Sequence, residues 1–298
     1  MLDYAALATL SAVLRIGSFE AAAAALNVTP SAVSQRIKAL EERLGTVLVV
    51  RGQPCTGTET ALRLVRHADT VALMETEALA GLADAGSARP TVRIAVNADS
   101  LATWVLPALA RVEGMLFDLV IDDQDHSQDW LRRGEVMAAI AGSPGPVQGC
   151  DSHPLGVMRY LATASPAFAT LWFREGVDAA SLSRAPAISF NAKDRLQNDW
   201  ARMVTGRRVA LPTHWIGTSQ GFVDAALAGL GWGMNPELSV EGHLAAGRLT
   251  ALAPGFPLDV PLFWQVSRIA GLGQLTAAIR AAAAAVLRTA AGTSRAES

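Results

Sequence analysis

The sequence predicts an α+β multi-domain chain: a small helical head, one long helix, and a larger region in which strands and helices alternate. Three observations carry this reading. Short capped helical patterns crowd residues 2–44, an unbroken helical pattern runs from 59 to about 84, and strand–helix alternation starts at Thr91. The chain has 298 residues, room for two or three domains. Hydrophobic residues make up 51% and charged ones 17%, which excludes a disordered chain.

Residues 2–15 place Leu7, Leu10 and Leu14 on one stripe, the spacing of an amphipathic helix. Gly17 interrupts the pattern, and Ser18 is an N-cap for an Ala-rich helix through Leu26. Asn27-Val28 then leads to Thr29-Pro30. The Thr29 hydroxyl can accept a free backbone N–H, and Pro30 suits the first helical position because it has no N–H to leave unpaired. The helix that follows aligns Val33, Ile37, Leu40 and Leu44 and stops at Gly45. Its other face shows Ser31, Ser34, Gln35 and Lys38. Two short helices, a tight turn and a polar-faced third helix make a helix-turn-helix. Residues 47–50 read as a strand and Arg51-Gly52-Gln53-Pro54 as the tip of a wing, so residues 1–58 form a winged helix-turn-helix domain.

Thr58 caps the long helix, residues 59–84. Leu64, Ala68, Val71, Glu75, Ala78 and Leu82 alternate spacings of four and three, a coiled-coil-like seam. Such a seam is longer than a 58-residue head can cover, so this linker helix is expected to pair with a second copy of the chain. Residues 85–90, Gly- and Pro-containing, are the expected hinge. From Thr91 onward strands are expected at 92–96, 117–121, 136–141, 159–163, 187–190, 214–216, 231–234 and 262–266. Helices between them, and an Ala-rich one at 275–291, make an α/β domain with a largely parallel sheet.

Charge is informative only when divided. The whole chain carries −2. Residues 1–66 hold seven bases against five acids, residues 67–90 one against four, and residues 91–298 seventeen against eighteen. The positive excess lies on the head alone. No stretch free of Asp, Glu, Lys and Arg exceeds 15 residues, short of the roughly 20 a bilayer span requires. No secretory leader is read, and two cysteines, Cys55 and Cys150, do not make a disulfide framework. A cytoplasmic protein is expected.

Enzyme signatures are missing: no G-x-S-x-G, no H-E-x-x-H, no phosphate-cradling loop, and no nucleotide-binding G-x-G-x-x-G after a strand. The five histidines lack metal-ligand spacing. Neither catalysis nor a cofactor nor a metal is expected.

The run Ser18-Phe19-Glu20-Ala21-Ala22-Ala23-Ala24-Ala25-Leu26, followed by Thr29-Pro30-Ser31-Ala32-Val33-Ser34-Gln35-Arg36-Ile37-Lys38-Ala39-Leu40-Glu41, resembles the LysR-type transcriptional regulators. Arg51-Gly52-Gln53-Pro54-Cys55, the segment from Val96 to Trp104, and Leu131-Arg132-Arg133-Gly134-Glu135-Val136 resemble the branch that controls arginine and lysine exporters. Departures from that branch stand at Gly57, Ala61 and Gln220; the last removes a negative charge near the expected pocket. The resemblance implies a two-lobed, periplasmic-binding-protein-like effector domain over 91–298. Lobe one would span 91–163 and 267–290, and lobe two 164–266. Its implied partners are promoter DNA, a small-molecule effector, further copies of itself as a dimer or tetramer, and RNA polymerase.

On the DNA side, Thr29, Ser31, Ser34, Gln35 and Lys38 lie on the helix expected to enter the major groove. Ser18, Arg36 and Arg51 are placed for phosphate contacts. On the effector side, Asn97, Asp99, Ser100 and Thr103 follow the first strand. Free N–H groups at 100–103 would suit an α-carboxylate. Asp118, Asp122, Asp123, Asp125 and Asp129 crowd one loop without a base among them, and Asp122 and Asp123 follow a strand toward the cleft. A cationic side chain such as that of lysine or arginine would relieve their repulsion. Asn191, Lys193, Asp194 and Ser219 are lobe-two candidates, with Met234 at the pocket floor. The rival reading is a solute-binding protein or enzyme built on 91–298; the lack of a leader and of catalytic motifs counts against it.

Overall fold

The computed structural model describes residues 2–78, 89–122, 127–145 and 147–289. The end of the expected linker helix with Leu82, most of the expected hinge, and Asp123 and Asp125 lie outside the described residues. The chain divides into two units: Met1–Val92 with Gly114–Phe117 and Ile269–Gly271, and the remainder.

In the first unit, α1 (Tyr4–Ile16), α2 (Phe19–Ala25) and α3 (Pro30–Leu44) follow the local signals closely. Asp3, Ser18 and Thr29 each accept backbone N–H groups at a helix start, and Gly17 and Gly45 end α1 and α3 in the left-handed conformation. Leu7, Leu10 and Val13 from α1 meet Ala22 and Ala23 from α2 and Val33, Ile37 and Leu40 from α3 in one core. The wing is the antiparallel pair β1 (Val49–Val50) and β2 (Thr56–Gly57). Glu41 fastens it to α3 by accepting the N–H groups of Leu48 at 2.7 Å and Val49 at 3.2 Å. There is no space for a side chain at Gly17: a Cβ there would fall 2.6 Å from the Cβ of Pro54.

The described part of the linker helix, α4 (Glu59–Ala78), corrects the expectation for its seam. Ala61 belongs to the core of the head, and Leu64 and Ala68 pack against it, while Leu73 is buried. Two of the six seam residues, Leu64 and Ala68, are thus covered by the chain's own first unit, where the helix docks on α1 through Tyr4–His67 and Arg15–Asp69 contacts. Leu62 and Met74 are left exposed.

From Thr91 onward the chain forms, in order, β3 (Thr91–Val96), α5 (Ala98–Ser100), a π-helical turn (Leu101–Val105), α6 (Leu106–Leu109), β4 (Leu116–Ile121), α7 (Ser127–Arg132), β5 (Ala138–Ala141) and β6 (Cys150–Ala164). Then come α8 (Pro166–Trp172), α9 (Ala179–Leu182), β7 (Ala187–Ser189), α10 (Leu196–Thr205), β8 (Thr213–Trp215), α11 (Ser219–Leu227) and β9 (Gly233–Pro236). The chain closes with α12 (Glu237–Ala245), β10 (Thr250–Ala251), β11 (Leu258–Ser267), a short 3-10 turn and α13 (Gly273–Val286).

The expected largely parallel sheet is instead mixed. A seven-stranded sheet has the order β10-β6-β11-β5-β3-β4, with β9 also on β6. β3–β5 is parallel, but β6–β11, β11–β5, β6–β9 and β6–β10 are antiparallel. The reason is the long ribbon of β6 and β11, which pairs over ten positions and bends at a bulge between Leu262 and Phe263. At the bend Gly156 has φ 127°, and a Cβ would meet the Arg288 carbonyl at 2.8 Å. β7 and β8 form a separate parallel pair. Apolar cores gather around Ile188, Phe222, Val223 and Val240, and around Ala95, Leu131, Val136 and Ala139. No helix among the described residues is long and apolar enough to cross a membrane.

Candidate DNA-reading face and effector cleft

On the head, a groove of about 180 Å³ runs between α3 and the wing, lined by Phe19, Ser34, Gln35, Lys38, Val49 and Arg51 among others. The buried face of α3 takes Val33, Ile37 and Leu40, so Ser31, Gln35, Arg36 and Lys38 are turned to solvent. Lys38 pairs with Glu42 at 3.7 Å, a loose exposed contact that leaves its ammonium available. The Arg51 guanidinium lies over the Phe19 ring, 5.3 Å from its centre, which aims a fixed charge along the groove.

Other sequence candidates have local duties. The Ser18 hydroxyl caps α2 and donates to Glu20 at 3.0 Å; the Glu20 backbone N–H and, after it, that hydroxyl hold the Glu20 carboxyl below its ordinary range. Thr29 caps α3 through Ala32 and shares a hydrogen bond with Ser31. Arg36 reaches back to Thr9 at 3.4 Å.

In the second unit one cavity, of about 50 Å³, collects residues from five separate segments. Asn97, Ala98 and Asp99 come from the start of α5, Asp122 from the end of β4, and Phe190, Asn191, Asp194 and Leu196 from the loop after β7 and the first residue of α10. Ser219 and Phe222 come from α11, and Met234, Asn235 and Pro236 from β9. Seven of the sequence-predicted residues therefore meet: Asn97, Asp99, Asp122, Asn191, Asp194, Ser219 and Met234.

Their roles differ. Asp99 accepts the Tyr160 hydroxyl on one oxygen and the Ser219 hydroxyl on the other, each at 2.8 Å. Asp122 accepts the Trp130 indole N–H at 2.9 Å on one oxygen, while the Lys193 ammonium stands 3.6 Å from the other. The Trp130 ring is itself met by the guanidiniums of Arg93 and Arg133, 5.9 and 5.0 Å from its centre. Asn191 and Asp194 are largely spent on the loop. Asn191 accepts the N–H groups of Lys193 and Asp194, and Asp194 those of Phe190 and Leu196.

Three expectations need correction. The helix begins at Ala98, not Ser100, and the Leu101 N–H already bonds the Asn97 carbonyl. Its first-turn N–H groups are therefore those of Ala98, Asp99 and Ser100 rather than 100–103. Ser100 is fully buried and Thr103 donates to the Asp99 carbonyl, so neither side chain lines this cavity. Gln220 faces a neighbouring cavity and bonds Asp224, so no charge is lost from the cleft itself. Among the described acids of the loop, Asp118 pairs with Arg93 and Asp129 with Arg132, while Asp122 lines the cavity.

Sequence reading missed Asn235, Phe190, Phe222 and the positioning pair Tyr160 and Trp130. Asn235 lies one residue beyond the strand expected at 231–234 and is fully buried. Its amide donates to Thr163 at 3.0 Å while its Oδ1 has no partner, and the Oδ1 of the buried Asn97 is equally unmatched. Two orphaned acceptors and three carboxylates make a cavity that calls for N–H donors and positive charge.

Residues 4–62 match the bacterial regulatory helix-turn-helix protein family of the lysR type, and residues 85–290 match the LysR substrate binding domain. The HTH-type transcriptional regulator LysG of Mycobacterium tuberculosis is 45% identical over 96% of this chain and 95% of its own length. The crystal structure of ArgP from Mycobacterium tuberculosis superposes with a TM-score of 0.77 at 45% identity, covering 97% of this chain and all of that one. Full-length LysG from Corynebacterium glutamicum with bound effector Arg gives 0.64 at 36% identity, over 96% of this chain and all of that one. Over both its helix-turn-helix head and its two-lobed sensor, the chain belongs to the LysR family of transcriptional regulators.

Proposed function

We propose that this regulator senses a basic amino acid, L-arginine or L-lysine, and controls the gene of an exporter for it from the cytoplasm, as a dimer or tetramer. The observation that carries the effector is the cavity's surplus of acceptors: Asp99, Asp122, Asp194 and the unmatched amide oxygens of Asn97 and Asn235. A guanidinium or ammonium supplies N–H donors for the two unmatched amide oxygens and a positive charge facing the carboxylates. The backbone N–H groups of the first turn of α5 are matched to the α-carboxylate end of such a ligand. The arginine bound to LysG of Corynebacterium glutamicum supports the same choice.

On the DNA side, Ser31, Ser34, Gln35 and Lys38 are read as base-edge or phosphate contacts, with Thr29, Ser18, Arg36 and Arg51 fixing the docking of α3 and the wing. The lobe and linker boundaries read from the sequence, 1–58, 59–84 and 91–298, serve this division. Effector binding shifts the balance between arrangements of the assembly that hold the two heads at different half-site spacings. The test is a gel shift on the chain's own upstream intergenic DNA, with and without arginine or lysine, joined to calorimetric titration with arginine, lysine and a neutral amino acid. A salt-sensitive, site-preferring band and heat from the basic amino acids alone are expected. No band removes the DNA reading, and equal heats from all three remove the cation site.

A further inference from the structure

The basic-amino-acid reading leaves one charge beside the cleft unexplained, that of Lys193. Asp122 closes the cavity at the end of β4, and its side chain is only 21% exposed. Trp130 satisfies one oxygen from behind. The other faces the Lys193 ammonium, at a distance of 3.6 Å that is an ion pair without a tight hydrogen bond. Lys193 itself is 53% exposed and does not line the cavity. Its backbone is fixed, because Asn191 accepts the Lys193 N–H at 2.7 Å and Asp194 clamps both ends of the same loop. These hydrogen bonds tie down the loop's backbone, while the four-carbon side chain that carries the ammonium is held through its contact with Asp122 and stands half in solvent.

We infer that Lys193 is an internal stand-in for the effector's cation, neutralising Asp122 when the cleft is empty and displaced when arginine or lysine enters. A carboxylate four-fifths removed from water is costly without a positive partner, so the empty cleft gains from holding one. A long, exposed ammonium in loose contact is the partner most easily given up, since its own solvation is recovered as it swings out. Two consequences follow. Every cationic effector binds against this internal competitor, which raises the concentration at which the regulator responds. A neutral isostere of arginine cannot displace Lys193, so the same lysine enforces selection for charge.

The inference rests on the basic-amino-acid reading, and its test separates the two. Arginine and citrulline, its neutral isostere, are titrated calorimetrically into the full-length wild-type chain, Lys193→Met, Lys193→Arg, Asp122→Asn and the Lys193→Met/Asp122→Asn double variant. Lys193→Met is expected to bind arginine about tenfold more tightly, with citrulline unchanged and Lys193→Arg close to wild type. In the Asp122→Asn background Lys193→Met should have no effect, because its competitor role acts through that carboxylate. Unchanged or weakened arginine binding by Lys193→Met overturns the inference while wild-type heat keeps the effector reading. So does equal tightening of arginine and citrulline, or a gain that persists without Asp122. Absence of wild-type heat with arginine and lysine overturns the effector reading and the inference together.

Discussion

The head and the effector cleft solve the problem of recognition in opposite ways. On the head, the candidate DNA contacts Ser31, Ser34, Gln35 and Lys38 fall within eight residues of one helix, and that helix is set by its own cap, its Pro30 and its Gly45. In the cleft, Asp99, Asp122, Asp194, Ser219 and Asn235 come from five segments and meet only when β3, β4, β7, α11 and β9 are all in place. A local site tolerates changes elsewhere in the molecule. A site assembled from distant loops depends on every element that carries a piece of it.

The largest effect expected breaks the first half of this comparison. Ile37 is 3% exposed in the core of the head, where α1, α2 and α3 meet. Truncation to Ala should cost about 2–5 kcal/mol, a large share of what so small a unit has. Operator binding by gel shift should be lost at growth temperature while calorimetric arginine binding persists. Loss of both together would show that the two units do not fold independently.

The next effect breaks the second half. Asp122→Asn removes the carboxylate but keeps an oxygen for the Trp130 indole. A hydrogen bond to a charged group is worth about 1.5–3 kcal/mol, so arginine affinity should fall roughly ten- to a hundredfold. Operator binding without arginine should not change. An equal loss of arginine-free operator binding would mean that Asp122 supports the fold rather than the ligand.

What was legible in the sequence follows the same division. Ser18, Thr29-Pro30 and Gly45 each act within a few residues, so α2 and α3 can be bounded from the chain alone. The first half of β6 cannot, because Pro154 and Gly156 break the strand pattern just where the ribbon bends toward Arg288. In the cleft, acidic residues were visible as a cluster, yet only partner geometry separates Asp122 from Asp118 and Asp129, which are held by Arg93 and Arg132. Asn235 was invisible, since a buried amide and a turn amide look alike before β9 is paired with β6.

A smaller effect sharpens the account of the head. Gln35 and Lys38 share the groove between α3 and the wing, but a neutral amide and an ammonium do different work there. Gln35→Ala should reduce discrimination at one base pair, by about 1–3 kcal/mol if it reads an edge bidentately. Lys38→Ala should weaken all sequences alike and lower the salt-dependence slope by about 1. Binding isotherms at several salt concentrations, on operator and scrambled DNA, distinguish the two. Identical behaviour of both variants would mean that neither residue reads a base.

The smallest effect tests how the frame behind the cleft is held. Arg159 on β6 and Asp259 on β11 face each other across the antiparallel ribbon, with two contacts of 2.7 Å. That double hydrogen bond holds the Asp259 carboxyl below its ordinary range against the opposing effect of partial burial. A depressed folded-state value means the pair stabilises above the unfolded value of about 3.9 and is lost as pH falls through the lower folded value. Both side chains keep contact with solvent, so the contribution should be about 0.5 kcal/mol or less. Asp259→Asn should therefore lower the thermal midpoint slightly and by a constant amount between about pH 5 and 8, with the gap closing on acidification below about pH 4. A gap that widens in acid would show that the carboxylate is destabilising in the fold, and that the ribbon is held by its backbone ladder alone.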